Sequence, residues 1–269
     1  MRIGVVAPAR PIDQNIVAQV QAIAATYPGV ELVVSPQCFL SAGHFAGPDA
    51  TRADAFVAMA NDPAIDAIWC ARGGYGSNRI LHMIRDRLGP AAARKTYLGY
   101  SDFGFMLGAL YARRLGRPVH APMPADVLRD GGEAAVRRTL GWLTGDRSGL
   151  EPGLAGQPAA AFNLSIIAAL VGTPWLPDLA DHVLLIEDVS EPLYRIDRML
   201  FQLAQATQLK GLAGVRLGRI SDVQPNDPPW GEALSLMLPR WCAELGVPFL
   251  GEADIGHDVG NRIVPFGLG

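Results

Sequence analysis

Short apolar segments and amphipathic segments alternate through the first half of the chain, and this alternation restricts the fold more than any other feature of the sequence. In the amphipathic segments the apolar residues recur at helical spacing, as Ile16, Val20 and Ile23 do. A helix that connects two strands of one sheet must pack back onto that sheet, which makes the strands parallel. We therefore predict an α/β fold with a parallel sheet in the first half. The predicted strands are Ile3–Ala7, Val30–Ser35, Ile65–Cys70, Tyr97–Tyr100 and Val119–His120, and the predicted helices are Ile12–Thr26, Arg52–Ala60, Ser77–Leu88 and Phe103–Leu115.

The texture of the sequence changes between residues 144 and 158. This stretch is rich in glycine, proline and polar residues, as linkers are. We place a domain boundary near residues 150 to 160, which gives a first domain over 1–150 and a second over 160–269. In the second domain the predicted helices are Ser165–Leu170, Arg195–Gln205 and Gly231–Leu245, and the predicted strands are Val183–Ile186, Gly214–Ile220 and Val247–Leu250.

Composition and charge exclude several classes of protein. The net charge is −3 and no run of Lys or Arg occurs, so the chain has no electrostatic footprint for nucleic acid. No uninterrupted apolar run reaches the roughly 18 residues of a membrane span, and no secretory signal precedes the first strand. The three cysteines, Cys38, Cys70 and Cys242, are too widely spaced for a disulfide framework or a zinc site, and Cys70 is predicted to be a buried small hydrophobe. We expect a soluble cytoplasmic protein without a metal.

Ser101 stands between a predicted strand and a predicted helix, in the segment L-G-Y-S-D-F-G at 98–104. A serine on a sharp strand-to-helix turn lifts its hydroxyl clear of the sheet, and the amide of the next residue faces what that hydroxyl attacks, as in a nucleophile elbow. The motif here is G-x-S-x-x-G rather than the usual G-x-S-x-G. A serine at this point is also a suitable helix N-cap. Both interpretations stay open on the local sequence.

A glycine-rich segment, R-G-G-Y-G-S at 72–77, follows the third predicted strand and precedes a helix. Glycines let the backbone approach a ligand closely, and amides at a helix N-terminus favour an anion. The segment lacks the lysine of a Walker motif and the spacing G-x-G-x-x-G, and amides that serve an oxyanion fit it as well as a phosphate site does. Ligands of parallel sheets bind at the carboxyl ends of the strands, where this segment and Ser101 both fall.

Two further residues are candidates for acid–base chemistry. Glu187 ends a predicted apolar strand, where a carboxylate needs a partner to offset its desolvation. The structural alternatives for Glu187 are a solvated strand end or an ion pair to Arg195 or Arg198. His257 lies in a polar, glycine-flanked loop of the kind that concentrates functional groups, although simple exposure is an equal alternative. His120, at the end of the fifth predicted strand, is a minor candidate.

Taken together, these segments resemble the LD-carboxypeptidase family of serine peptidases, which includes the murein tetrapeptide carboxypeptidases and the microcin C immunity peptidases. The matching blocks follow the family's order over nearly the whole chain, which makes the match specific. They are V-V-A-P near the start, A-R-G-G-Y-G-S at 71–77, L-G-Y-S-D-F at 98–103, N-L-S-I-I-A-A-L-V-G-T-P at 163–174, L-I-E-D-V-S-E-P-L-Y-R-I-D-R-M-L at 185–200 and G-H-D-V-G-N-R-I-V-P-F-G at 256–267.

The resemblance implies a Ser-His-Glu triad divided between the two domains, with Ser101 as nucleophile, His257 as base and Glu187 as the acidic member. The backbone amides of Gly74 and Asp102 would form the oxyanion hole. The resemblance also implies a Rossmann-like first domain, a smaller and mostly β second domain, a homodimer, and no metal or other cofactor.

The substrate implied by the resemblance is a murein tetrapeptide, whose L,D-peptide bond to the terminal D-Ala would be cut during peptidoglycan recycling. Arg72, whose charge suits the free carboxylate of such a peptide, and Tyr75 are the expected substrate contacts. An alternative within the family is the microcin-immunity reaction, which cleaves an amide between a peptide or amino acid and a nucleotide. A non-enzymatic nucleotide- or peptide-binding module is a third interpretation, and it does not require Ser101, Glu187 and His257 to converge.

The sequence departs from the family pattern at two points. Ala9 and Arg10 follow Pro8, where relatives commonly have a serine, and the sequence stops at Gly269, where many relatives continue with further strands. Neither departure removes a member of the triad. Both concern the sheet of the second domain and the substrate pocket.

Overall fold

The computed structural model describes residues 1–154 and 156–268, and strands alternate with helices along most of their length. The strands are β1 (Arg2–Val6), β2 (Glu31–Val34), β3 (Ala67–Cys70), β4 (Thr96–Gly99), β5 (Arg117–His120), β6 (Ala159–Asn163), β7 (Val183–Val189), β8 (Gly214–Ser221), β9 (Phe249–Glu252) and β10 (Val264–Pro265). The helices are α1 (Gln14–Ala24), α2 (Asp49–Asn61), α3 (Ser77–Ile84), α4 (Gly104–Ala112), α5 (Gly132–Leu143), α6 (Leu164–Leu170), α7 (Leu193–Gln205) and α8 (Leu234–Leu245). The predicted α/β fold class is confirmed.

The first sheet contains β1 to β5 in the order β2-β1-β3-β4-β5, all parallel, with β10 added antiparallel to β5. Apolar residues of α1 and α5 cover one face, and those of α2, α3 and α4 cover the other. The strand order reverses between β1 and β3, because β2 lies on one side of β1 and all later strands lie on the other. At such a reversal the loops diverge to opposite faces and leave a crevice at the carboxyl ends of the strands.

The second sheet contains β6, β7, β8 and β9 in chain order, and it is also entirely parallel. Helices α6, α7 and α8 pack on one face, and their apolar residues continue into the core of the first sheet. The C-terminal segment, residues 253–268, covers the other face through Ala253, Ile255 and Val264. The chain then returns to the first sheet as β10. The division into two domains at residues 150 to 160 stays a prediction. Strand β10 follows that boundary in the sequence but belongs to the first sheet.

Helix α4 lies between the two sheets. It follows the turn that carries Ser101 and is buried along most of its length. It begins at Gly104 after a short 3-10 turn, one residue later than the sequence predicted. A Cβ added to Gly104 would lie 3.1 Å from Ile166, and one added to Gly108 would lie 3.1 Å from Leu170, both on α6. The two glycines therefore give α4 a face without side chains, against which α6 packs closely.

Replacing Gly108 with valine should destabilise the protein, because the new side chain would crowd Leu170 and the carbonyl oxygen of Trp175, only 3.3 Å from an added Cβ. Overpacking of a buried interface costs about 1–3 kcal/mol in the free energy of unfolding, which urea denaturation measures. Gly89→Val is the matched control, because its added Cβ would meet only Asn61, at 3.4 Å. Equal stabilities of the two variants would contradict this account of the α4–α6 contact.

Candidate active site

Ser101 occupies the turn between β4 and α4 with a backbone φ of 58°. Positive φ is uncommon and costly for a residue other than glycine, and a sharp strand-to-helix turn imposes it. The capping positions of the 3-10 turn and of α4 are Tyr100 and Phe103, so Ser101 caps neither helix. Its hydroxyl hydrogen-bonds to His257 instead.

Ser101, His257 and Glu187 form one hydrogen-bonded chain of side chains. His257 Nε2 lies 2.9 Å from Ser101 Oγ, and His257 Nδ1 lies 2.5 Å from Glu187 Oε2. A carboxylate can only accept, so Nδ1 carries the proton and donates to Glu187, which leaves Nε2 to accept from the serine hydroxyl. The three residues converge, as the peptidase interpretation requires and a binding module does not.

Glu187 is fully buried in β7, which continues past the predicted end at Ile186 to Val189. The register between β7 and β8 shifts at this point, and such an irregularity re-aims a side chain. Gly218 of β8 makes room for the contact: an added Cβ would lie 2.6 Å from Ile255 and 2.9 Å from Glu187 Cβ. The C-terminal segment can therefore lie directly over the carboxylate. The sequence analysis did not identify Gly218.

The predicted alternatives for Glu187 do not describe its surroundings. It makes no ion pair with an arginine in the described part of the chain, and Glu191 is the residue that pairs with Arg195, at 3.1 Å. The neighbouring Asp188 accepts hydrogen bonds from Asn163 and Ser165, and so ties the start of α6 to β7. Glu187 has His257 as its partner.

The electrostatics of the site raise the pKa of His257. Burial alone would lower the pKa of the imidazole, but the charge and hydrogen bond of Glu187 outweigh it, so that the pKa lies above the ordinary 6.5. The charge of Asp188 acts in the same direction, and that of Arg129 opposes it. The site therefore favours a proton on this histidine, which is the state that a general base reaches after it accepts one.

The glycine-rich segment lies against Ser101 and is held by the carboxylate of Asp102. Asp102 accepts hydrogen bonds from the amides of Gly76 and Ser77, at 3.2 and 2.9 Å. Burial raises the pKa of Asp102, and these hydrogen bonds oppose the rise. A Cβ added to Gly73 would lie 3.0 Å from Ser101 Oγ, so the segment touches the hydroxyl through bare backbone.

The two predicted oxyanion donors directly follow the two residues that touch: Gly74 follows Gly73, and Asp102 follows Ser101. Gly74 has a φ of 115°, a conformation that strains any residue with a side chain. Among the described residues, the backbone amides of Gly74 and Asp102 have no hydrogen-bond acceptor. Both are available to a ligand.

His120 does not belong to the hydrogen-bonded chain, although the sequence made it a minor candidate. It is buried, and its Nε2 lies 2.9 Å from Asn261 Oδ1, which also accepts from the amide of Gly256. Burial lowers the pKa of His120 and keeps the ring neutral. Arg138 of α5 donates to the carbonyl oxygens of Val259 and Asn261. These contacts fasten the loop that carries His257 to the first sheet.

The two predicted substrate contacts flank the glycine-rich segment. Arg72 is half-buried, and Tyr75 is 49% exposed beside the rings of His44 and Phe45. Neither side chain hydrogen-bonds to Ser101 or to its two partners in the described structure. Their part in binding a substrate stays a prediction.

Residues 1–154 and 156–268 contain neither a cluster of metal ligands nor a membrane-spanning helix. No group of three or more His, Cys, Asp or Glu side chains is arranged to hold a metal ion there. No helix in those ranges has both the length and the apolar composition to cross a membrane. All three cysteines are free and buried, which confirms the interpretation of Cys70.

Comparison with known families accounts for both sheets. Residues 3–121 match the LD-carboxypeptidase N-terminal domain, and residues 159–269 match the LD-carboxypeptidase C-terminal domain. The chain belongs to the LD-carboxypeptidase family. This membership supports a carboxypeptidase of the serine type.

Relatives in sequence carry carboxypeptidase names. A putative carboxypeptidase of Streptomyces coelicolor is 35% identical, over 99% of this chain and 88% of its own length. The murein tetrapeptide carboxypeptidase of Pseudomonas aeruginosa is 30% identical, over 76% of this chain and 71% of its own. A probable murein peptide carboxypeptidase of Bacillus subtilis is 28% identical, over 98% of this chain and 86% of its own.

Two solved structures share the fold. The muramoyltetrapeptide carboxypeptidase of Oxalobacter formigenes aligns with a TM-score of 0.83 and 24% identity, over 98% of this chain and 93% of its own. The protein MccF, solved in complex with glutamyl sulfamoyl guanosine, aligns with a TM-score of 0.80 and 17% identity, over 99% of this chain and 91% of its own. At these identities the likeness concerns the fold alone.

Replacing Glu187 with glutamine should lower the pKa of His257, because burial is then opposed only by the weaker influence of Asp188. NMR titration of the imidazole resonances measures this change. Glu191→Gln is the matched control, because that carboxylate pairs with Arg195 and should leave the His257 titration nearly unchanged. A His257 pKa that is the same in Glu187→Gln and in wild type would show that another group raises it.

Proposed function

We propose that this protein is a serine carboxypeptidase that hydrolyses the L,D-peptide bond to the terminal D-Ala of a murein tetrapeptide. The observation that carries the proposal is the hydrogen-bonded chain from Ser101 through His257 to Glu187, in a protein of the LD-carboxypeptidase family. The 30% identity to the P. aeruginosa murein tetrapeptide carboxypeptidase supports the substrate class.

In the first half of the reaction, Ser101 Oγ attacks the carbonyl carbon of the scissile bond while His257 Nε2 takes the hydroxyl proton. Glu187 keeps the proton on Nδ1 and stabilises the imidazolium that forms. The amides of Gly74 and Asp102 donate hydrogen bonds to the oxyanion, and each such donor is worth about 100- to 1000-fold in turnover. His257 then protonates the leaving amine, and D-Ala departs from an acyl-enzyme on Ser101.

In the second half, a water molecule gives its proton to His257 and attacks the acyl carbonyl in the same oxyanion site. Collapse of that intermediate returns the proton from His257 to Ser101 Oγ and releases the shortened peptide. The raised pKa of His257 helps it to hold a proton between steps. The imidazole of His257 carries the proton in each of these steps, so the reaction needs no further acid or base.

The biological setting is part of the same proposal. We expect the enzyme to act in the cytoplasm on peptides recovered in peptidoglycan recycling, as a homodimer, with Arg72 and Tyr75 among its substrate contacts. Cleavage of an amide between an amino acid or peptide and a nucleotide is the alternative reaction. Its support is the fold shared with MccF, at 17% identity, whereas the murein peptide reaction is supported by sequence relatives at 28–30%.

Replacing Ser101 with alanine should lower the release of D-Ala from L-Ala-D-Glu-meso-diaminopimelyl-D-Ala by at least about 1000-fold, because no other hydroxyl of the described residues hydrogen-bonds to His257. D-Ala is quantified by a coupled D-amino-acid oxidase assay. Ser148→Ala, on the exposed surface, is the matched control and should retain full activity. Full turnover by Ser101→Ala would remove this residue from the mechanism. A wild-type enzyme that ignores the peptide but cleaves an aminoacyl-nucleotide would favour the alternative reaction.

The pH dependence should follow the protonation of His257. The base works only when it is neutral, so kcat/KM should fall as the pH drops through a pKa above 6.5. Glu187→Gln should move this acidic limb to lower pH while it reduces turnover, since it removes the group that raises the pKa. Steady-state kinetics between pH 5 and 9 measure both effects. An acidic limb that is the same in both proteins would assign it to another group.

A further inference from the structure

Arg10 and Arg72 follow the two adjacent strands at which the order of the first sheet reverses. Arg10 lies in the loop after β1, and Arg72 lies in the loop after β3. The crevice that such a reversal leaves at the carboxyl ends of the strands is where ligands of parallel sheets bind. Ser101 follows β4, the next strand along, so both arginines stand at the same edge as the hydroxyl.

The stem of Arg10 lies on the glycine that carries a proposed oxyanion donor. A Cβ added to Gly74 would lie 2.6 Å from Arg10 Cγ, so only a glycine leaves room for the arginine there. The preceding Gly73 touches Ser101 Oγ in the same way. Arg10, the glycine segment and the hydroxyl are therefore in consecutive contact.

Neither guanidinium group has a partner within the described residues. Arg10 and Arg72 make no salt bridge and no side-chain hydrogen bond there, whereas Arg79, Arg129 and Arg219 each pair with an aspartate. Burial and then the nearby charge of Arg10 hold the pKa of Arg72 below its ordinary value, and Asp13 offsets part of this effect. Two like charges without a paired carboxylate repel each other, and an anion between them would remove that cost.

We propose that Arg10 and Arg72 together bind the C-terminal carboxylate of the residue that the reaction releases. This proposal rests on the proposed function and adds to it the group that makes the enzyme remove a terminal residue. In a peptide, the carboxyl carbon of the last residue lies within about 4 Å of the carbonyl carbon before it. The carboxylate must therefore bind beside the oxyanion site, where Arg10 covers Gly74.

A cationic subsite formed by the two arginines would make the enzyme select peptides that end in a free carboxylate. A carboxylate that leaves water without a partner loses its hydration at a large cost, and a guanidinium offsets that loss through charge-assisted hydrogen bonds. A peptide that continues beyond this residue, or that ends in an amide, has no charge to offer there. Such substrates should bind poorly although their scissile bond is the same.

The test compares two tetrapeptides, L-Ala-D-Glu-meso-diaminopimelyl-D-Ala and the same peptide with a C-terminal carboxamide. Wild type should prefer the free acid by about 10- to 100-fold in kcat/KM, mainly through KM. Arg10→Gln and Arg72→Gln should each lose most of this preference by slowing hydrolysis of the free acid alone. Arg10→Lys should recover part of it. Arg85→Gln, an exposed arginine paired only with an aspartate, is the matched control and should keep the full preference.

Binding to Ser101→Ala separates a failure of this proposal from a failure of the proposed function. Calorimetry should give a tighter Kd for the free acid than for the carboxamide, and Arg10→Gln in that background should equalise the two. Equal Kd values in the Ser101→Ala parent would overturn the subsite, whatever the enzyme hydrolyses. Selective binding without any release of D-Ala by wild type would retain the subsite and overturn the proposed reaction. An aminoacyl-nucleotide that binds more tightly through the same arginines would overturn the carboxylate assignment in favour of a phosphate.

Discussion

The close packing of α4 on α6 is the contact on which the proposed site depends. Ser101 is fixed to the first sheet and Glu187 to the second, and the two sheets meet at Gly104 and Gly108, where no side chain separates the helices. An imidazole spans only a few ångströms between its two nitrogens. A slight separation of the helices would therefore break one of its hydrogen bonds, and interfaces packed to this density do not deform gradually.

The C-terminal segment supplies the second constraint, because it covers one face of the second sheet and then adds β10 to the first. It covers Glu187 by means of Gly218, and it then joins β5 as β10. Between these two attachments His120 and Asn261 hold the loop that bears His257. The base is thus positioned by the contacts of its loop on one side and by a single buried carboxylate on the other. Within the described residues Glu187 pairs with no arginine, and its one ionic partner is the imidazole of His257.

The sequence predicted the strands β1 to β4 because each contains a short apolar run and is followed by a segment predicted to be a helix, and it predicted β5 from the short run Val119–His120. It missed β6, whose residues Ala159–Ala161 have little intrinsic strand preference and become a strand through burial in a parallel sheet. It also missed α5 and β10. Ser101 and Glu187 lie 156 and 70 residues from His257 along the chain, so local patterns made each a candidate, and only the family resemblance joined them in one triad. Gly218 could not be predicted for the same reason. A side chain at this position would clash only because two segments distant in sequence, around Glu187 and Ile255, meet there.

The two halves of the proposed site carry charges of opposite sign: an anion beside the catalytic base and two cations beside the substrate's end. Both charges suit the hydrolysis of a terminal peptide bond. Glu187 is a buried anion beside a group that becomes cationic during the reaction, which favours charge development on His257. Arg10 and Arg72 are cations without a paired carboxylate, beside the place where the proposed substrate presents a permanent negative charge. Repulsion between the arginines is relieved when the substrate binds, whereas the attraction of Glu187 for the imidazolium is realised only as the bond is attacked. The first interaction selects the substrate and the second lowers the barrier, so the two can be altered separately.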